Sequence, residues 1–249
     1  MENNMKAVIL AAGKGTRLKT EGCDLPKVMR EALGKPLLYH VLSGLTFIDK
    51  KDTIIVVGYQ KEKVIEAFEG YSFCEQKEQL GTGHAVMSAK DALNGFKGAV
   101  LICCGDMPLV KEESYRALME DHFKNGNDCT ILAGTSDIDL PYGRIVRKED
   151  GSFKCIVEER DCTPEEKAIR ELNVGVYVIS CEKLLPALNK LKNSNSQSEY
   201  YLTDIPAIFL EEGLKVGLLS REMNEEIIGV NTVEQLVWVE EELRKRAAL

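Results

Sequence analysis

Several features that would decide a function quickly are missing from this sequence. It has no excess of positive charge: the 249 residues carry a formal net charge of -8, which argues against a general nucleic-acid binder, since that role needs a basic face. It has no apolar run near the eighteen residues of a membrane span, and residues 1–5 offer neither a basic n-region nor a long apolar h-region. Neither a leader nor an anchor is therefore expected. The eight cysteines include no Cys-x-x-Cys pair, and His40, His84 and His122 are too scattered for a zinc site. The cysteines read as reduced, mostly buried thiols of a cytoplasmic protein. No internal repeat occurs, and no Ser-His-Asp or Cys-His set stands out.

What remains is an ordinary globular composition, 44% hydrophobic and 29% charged, long enough for one large α/β domain. Apolar runs at 5–10, 53–57 and 99–104 read as buried strands, and helical spacing appears at 36–47, 61–68, 83–93 and 111–124. Strands alternating with helices predict right-handed βαβ units, hence a Rossmann-like open, mainly parallel sheet with helices on both faces. Further strands are expected at 71–74, 129–134, 171–179 and 215–219, with helices at 182–191 and 204–212 either side of a polar loop at 192–198. Past Pro141 the pattern becomes that of a hairpin, 144–147 and 153–158, around Glu149-Asp150-Gly151-Ser152. Thr163-Pro164-Glu165-Glu166 and Thr232-Val233-Glu234-Gln235 read as helix starts, the second opening a final helix to about residue 246.

Division by texture gives one domain over 1–249: a nucleotide-binding part at about 5–137, a small β-containing substrate lobe at about 138–231 and a C-terminal helix from 232.

The stretch Leu10-Ala11-Ala12-Gly13-Lys14-Gly15-Thr16-Arg17-Leu18, with Leu25-Pro26-Lys27-Val28 after it, leaves the first strand at its carboxyl end, where open α/β sheets bind ligands. Its glycines and its cations Lys14, Arg17 and Lys27 suit a polyphosphate. Leu18 stands where a dinucleotide fingerprint needs a third glycine, and the Walker A spacing is absent. An ordinary strand-to-helix turn with solvated cations is the alternative.

The run from Gln76 to Ala85 has the amides and glycines to read a nucleobase edge, or else is a polar loop with an N-cap at Thr82. Asp106, in Gly105-Asp106-Met107-Pro108-Leu109, ends the most buried strand, where a carboxylate holds Mg²⁺ or caps the next helix. Tyr142-Gly143-Arg144, Glu158 and Asn173 fall in the substrate lobe, where Gly143, Glu158 and Asn173 can meet a sugar, or else each is a surface residue. Glu199, Tyr201 and Asn231 alone read as a strand start and a helix N-cap.

Taken together, these elements resemble the sugar nucleotidyltransferases, and most closely the uridyltransferase half of the bifunctional N-acetylglucosamine-1-phosphate uridyltransferases. The resemblance rests on nine segments in register: 10–18, 25–28, 78–85, 105–109, 142–145, 157–158, 172–175, 199–204 and 229–231. It implies that UTP and N-acetylglucosamine 1-phosphate give UDP-N-acetylglucosamine and pyrophosphate with Mg²⁺ as cofactor. Arg17 and Lys27 would be catalytic. Leu10, Ala11, Ala12, Gly13, Gln76, Gly81 and Thr82 would bind the nucleotide, Gly143, Glu158, Asn173, Glu199 and Tyr201 the sugar phosphate, and Asp106 and Asn231 the metal.

The chain departs from the pattern in a longer spacing between Arg17 and Lys27, in Cys104 where an aromatic is usual, and in Val174 where a threonine is usual. No hexapeptide repeats of an acetyltransferase half occur. Two other readings stay open: a relative using another pair, such as TTP or glucose 1-phosphate, and a non-catalytic sugar-nucleotide-binding subunit. Retention of the metal and phosphate residues argues against the second.

Overall fold

Alternating apolar residues in the central strands build two cores, one on each face of a single sheet. The computed structural model describes residues 4–18, 24–136, 138 and 140–248. Along the chain, β1 (Met5–Leu10) leads through the glycine loop to the two-residue strands β2 (Glu31–Ala32) and β3 (Lys35–Pro36), helix α1 (Leu37–Ser43), β4 (Thr53–Val57), α2 (Lys61–Ala67) and β5 (Ser72–Glu75). Two short helices follow, α3 (Thr82–Met87) and α4 (Lys90–Leu93), then β6 (Ala99–Cys104), α5 (Glu112–Asn125) and β7 (Cys129–Thr135). The hairpin β8 (Arg144–Arg147) and β9 (Phe153–Val157), helix α6 (Pro164–Lys167), and β10 (Glu171–Ser180) come next. The chain closes with α7 (Cys181–Leu188), α8 (Ile205–Glu211), β11 (Val216–Glu222) and α9 (Val233–Ala247).

The strands run in the order β11-β7-β10-β6-β1-β4-β5, with β8 and β9 attached beside β10. All neighbours on that path are parallel except β10, which is antiparallel to both β6 and β7. Being reversed, β10 begins at the edge where β1 and β6 end, so its first residues face the ends of their neighbours.

Period-two alternation decides which core each side chain enters. Ala7, Ile9, Leu101 and Cys103 pack on one face with Leu38, Val41, Tyr115, Leu118 and Val239 of α1, α5 and α9. Val8, Val100 and Ile102 pack on the other with Val86, Leu184, Leu188 and Phe209 of α3, α7 and α8. Helices therefore cover both faces, as the strand and helix rhythm predicts.

Two local expectations change. The helix expected over 83–93 is two helices, because the Ser88 hydroxyl bonds back to the His84 carbonyl at 3.0 Å and Ala89 takes a three-residue bond to Val86. The alternative reading of the 76–85 run, with its N-cap at Thr82, is not met: Gly81 is the N-cap and Thr82 is the first helical residue. The capping boxes at Thr163 and Thr232 are both formed. Of the seven described cysteines, all free, Cys103, Cys129 and Cys181 are buried and four are only partly so. Among the described residues no helix is long and apolar enough to cross a membrane.

Candidate functional site

Two cavities adjoin at the carboxyl edge of the sheet and share Leu10, Thr82, Cys104 and Asp106 in their walls. One, of about 240 Å³, opens between the glycine loop and the loop after β5; the other, of about 190 Å³, opens between the ends of β1 and β6 and the hairpin side. The parallel pairing of β1 with β6 sets Leu10 opposite Cys104, and the Gly105 amide donates to the Leu10 carbonyl at 2.9 Å. This pins Asp106 beside the glycine loop.

Ala12, Gly13, Lys27, Gln76, Gly81 and Glu199 line the first cavity. Gly15 sits at φ +64°, and a Cβ there would lie 2.8 Å from that of Lys27, so only glycine lets the loop lie on Lys27. The demand at Gly81 is stronger: φ is +104°, and an added Cβ would come within 2.6 Å of the Tyr200 carbonyl oxygen. That approach exists because Tyr200 donates to Leu80 and Gly83 donates to Tyr200, both at 2.8 Å, clamping the 199–201 segment onto the loop. Gln79 donates to the Ala12 carbonyl at 3.1 Å and joins the two loops that flank this cavity.

Asp106, Gly143, Glu158, Asn173 and Asn231 line the second cavity. The ladder between β10 and β7 shifts register between Asn173 and Tyr177, a bulge that re-aims this stretch of strand. The Asn173 carboxamide oxygen accepts from the Gly175 amide at 3.1 Å and the Tyr177 hydroxyl at 3.0 Å, which leaves its NH₂ free to donate elsewhere. The Thr203 hydroxyl donates to Glu158 at 2.9 Å. Burial still pushes the Glu158 carboxyl above its usual range, with Asp204, Asp161 and Glu199 nearby adding to the effect and Thr203 opposing it.

At the junction the Lys27 ammonium lies against the Asp106 carboxylate and 2.8 Å from the Asn231 carboxamide oxygen. Arg17 donates to that same oxygen at 3.1 Å. Asn231 is brought there by its loop, since Val230 donates to the Asp106 carbonyl at 2.9 Å and Gly229 to the Tyr142 hydroxyl at 2.7 Å. A carboxylate and a carboxamide oxygen thus converge on a point that already accommodates a positive charge. That donor set, two hard oxygens, fits Mg²⁺, which takes few protein ligands and completes its shell with water and phosphate. Among the described residues no group of three or more His, Cys, Asp or Glu could form a protein-only metal cage.

Of the residues that the resemblance implies, the structure brings all but Ala11, Arg17 and Tyr201 into the walls of these two cavities, and the loop cation Lys14 is exposed and lines neither. Ala11 is buried beneath the loop, and Arg17 is exposed but reaches Asn231. Tyr201 points into a neighbouring cavity, where its hydroxyl donates to Asp161 at 3.2 Å and accepts from Gln197 at 2.8 Å. Arg144, whose alternative was a surface position, is buried and pairs with Glu159 at 2.9 Å. The alternative cap at Asp106 is not used, since Lys111 precedes the first turn of α5 with no side-chain cap. Sequence reasoning left out Tyr142 and Thr203 as partners of site groups; both stand in quoted segments, but only contacts across the fold reveal their roles.

The MobA-like NTP transferase domain family matches residues 7–203. Over 241 residues the chain is 43% identical to "Bifunctional protein GlmU" of Streptococcus thermophilus, covering 96% of this chain and 52% of that one. The corresponding Clostridium acetobutylicum protein is 44% identical over 242 residues, again covering 96% of this chain and 52% of that one. The chain thus spans about half the length of the curated relatives it matches. A solved Bacillus anthracis structure, assigned as a glucose-1-phosphate thymidylyltransferase, superposes with a TM-score of 0.75 at 20% identity, covering 96% of this chain and 95% of the other. At that identity the likeness speaks for the fold. The chain belongs to the MobA-like NTP transferase domain family.

Proposed function

We propose that this chain is a nucleotidyltransferase that makes UDP-N-acetylglucosamine and pyrophosphate from UTP and N-acetylglucosamine 1-phosphate. The observation that carries this reading is the meeting of Lys27, Asp106, Asn231 and Arg17 where the two cavities join. One cavity has the glycine loop and base-reading amides of a nucleotide site, and the other has the carboxylate and carboxamide of a sugar site. The reacting phosphates then belong at the seam. We read residues of about 5–137 as the nucleotide part and about 138–231 as the sugar-phosphate part of one catalytic unit acting in the cytoplasm.

The chemistry needs no protein nucleophile. The sugar phosphate is already an anion; its oxygen attacks the α-phosphorus of UTP, a new P–O bond forms, and the bond to the β-phosphate breaks to release pyrophosphate. The protein's task is to align the two substrates and neutralise charge. Lys27 and Arg17 supply fixed positive charge at the seam, where a low-dielectric site strengthens it. Asp106 and Asn231 would hold Mg²⁺, which when bound offsets negative charge on the phosphates. The free NH₂ of Asn173 and the carboxyl of Glu158 orient the sugar through its hydroxyl and amide groups.

Pyrophosphate release tests the reading, with Mg²⁺ and a matrix of UTP, TTP, CTP, ATP and GTP against N-acetylglucosamine 1-phosphate, glucose 1-phosphate and glucosamine 1-phosphate. We expect release confined to UTP with N-acetylglucosamine 1-phosphate. Release on another pair would overturn the specificity, and silence on all pairs with nucleotide bound would favour a non-catalytic subunit. Asp106→Ala should lower turnover by about 100-fold or more while circular dichroism stays unchanged.

A further inference from the structure

Gln76 is buried, and its amide nitrogen sits 3.0 Å from the Gly81 carbonyl oxygen and 3.1 Å from His84 Nδ1. A carbonyl oxygen only accepts, so the atom facing Gly81 must be the NH₂ end of the side chain. That settles the orientation of the amide by chemistry. The second hydrogen of the NH₂ is directed at His84, whose Nδ1 must then carry a lone pair and whose ring must carry its hydrogen on Nε2. Both acceptors come from one place, because Gly81 caps α3 and His84 lies in its first turn. With both hydrogens engaged, the group Gln76 has left for the cavity it lines is its oxygen, an acceptor.

We propose that His84 is a positioning residue for base selection: together with the Gly81 carbonyl it holds Gln76 with the amide nitrogen inward and the oxygen toward the base. This rests on the reading of Gln76 as base-facing. An outward acceptor matches a pyrimidine with an N3–H donor, as in uracil, and opposes the bare N3 of cytosine. Rotating the amide by a half-turn would serve cytosine, but it would set the Gln76 oxygen against the Gly81 carbonyl and, while His84 keeps its hydrogen on Nε2, against Nδ1 as well. Removing His84 leaves one opposing acceptor, and the lock weakens by about one hydrogen bond.

The test compares kcat/KM for UTP and CTP, each with N-acetylglucosamine 1-phosphate, in wild type, His84→Ala and His84→Asn. The alanine variant should lower the UTP-to-CTP ratio about tenfold. Asparagine, whose side-chain oxygen can accept near the place of Nδ1, should restore much of it. A merely structural role would weaken both nucleotides alike and leave the ratio unmoved. Long-range proton–nitrogen NMR of the wild-type chain should show His84 with its hydrogen on Nε2. A ratio unchanged in His84→Ala, or a hydrogen on Nδ1, overturns the proposal while leaving the function intact. Failure of wild type to prefer UTP over CTP in turnover or binding overturns the base-facing reading, and this proposal with it.

Discussion

Lys27 holds two relations that conflict once substrates arrive. Its ammonium lies between the same two oxygens that suit a divalent cation, so it neutralises Asp106 and would compete with a metal bound at that position. Lys27→Met should therefore strengthen Mn²⁺ binding to nucleotide-free protein several-fold, read by electron paramagnetic resonance, while turnover falls roughly 100- to 1,000-fold. Unchanged Mn²⁺ affinity would mean that Lys27 does not occupy the cation position. Glu158 poses a different test. Burial raises its carboxyl pKa in the folded chain, so the native state binds more protons than the unfolded one and loses stability as pH climbs from the ordinary glutamate range, about 4.3, through the folded value. Glu158→Gln should accordingly raise the thermal midpoint at neutral pH, with the gain vanishing below about pH 4. The same variant should raise KM for the sugar phosphate.

The final helix shows how an element is tied to the site. Asn231 lies just before α9, and both its amide and that of Thr232 donate to the Gln235 side chain, at 2.7 and 3.1 Å. Gln235 in turn donates its backbone amide to the Thr232 hydroxyl. The capping box thus fixes both the helix start and the backbone of the residue at the seam. Thr232→Ala should cost about 1 kcal/mol, and in a chain of this size lower the melting temperature by about 2–4 °C. Because the neighbouring Asn231 would loosen, the apparent Mg²⁺ requirement should rise as well; a loss of stability with no change in Mg²⁺ dependence would confine the cap to the helix.

Across the whole molecule, the stabilising bulk and the chemistry are separate. The two cores lie on the faces of the sheet, and the charged seam lies at its edge. Removing divalent cations with EDTA should therefore abolish turnover, restore on adding Mg²⁺, and leave the thermal midpoint of nucleotide-free protein within about 1 °C, since the core gives up no buried area. A large drop in midpoint would assign the metal a structural role.

The sequence alone determined the strand and helix rhythm, because buried strands such as 53–57 and 99–104 are nearly continuous apolar runs and each helix repeats at its own period. It also determined both capping boxes and the glycine loop, whose signals lie within a few residues of one another. Tertiary structure decided what depends on partners far apart in the chain. The reversal of β10 brings Asn173 to the edge where β6 ends, a matter of strand order rather than of local pattern. The turn of Tyr201 toward Asp161 follows from a partner 40 residues away. The seam itself needs Arg17, Lys27, Asp106 and Asn231, which share no period and meet only because β1 pairs with β6 and the Val230 amide bonds to Asp106.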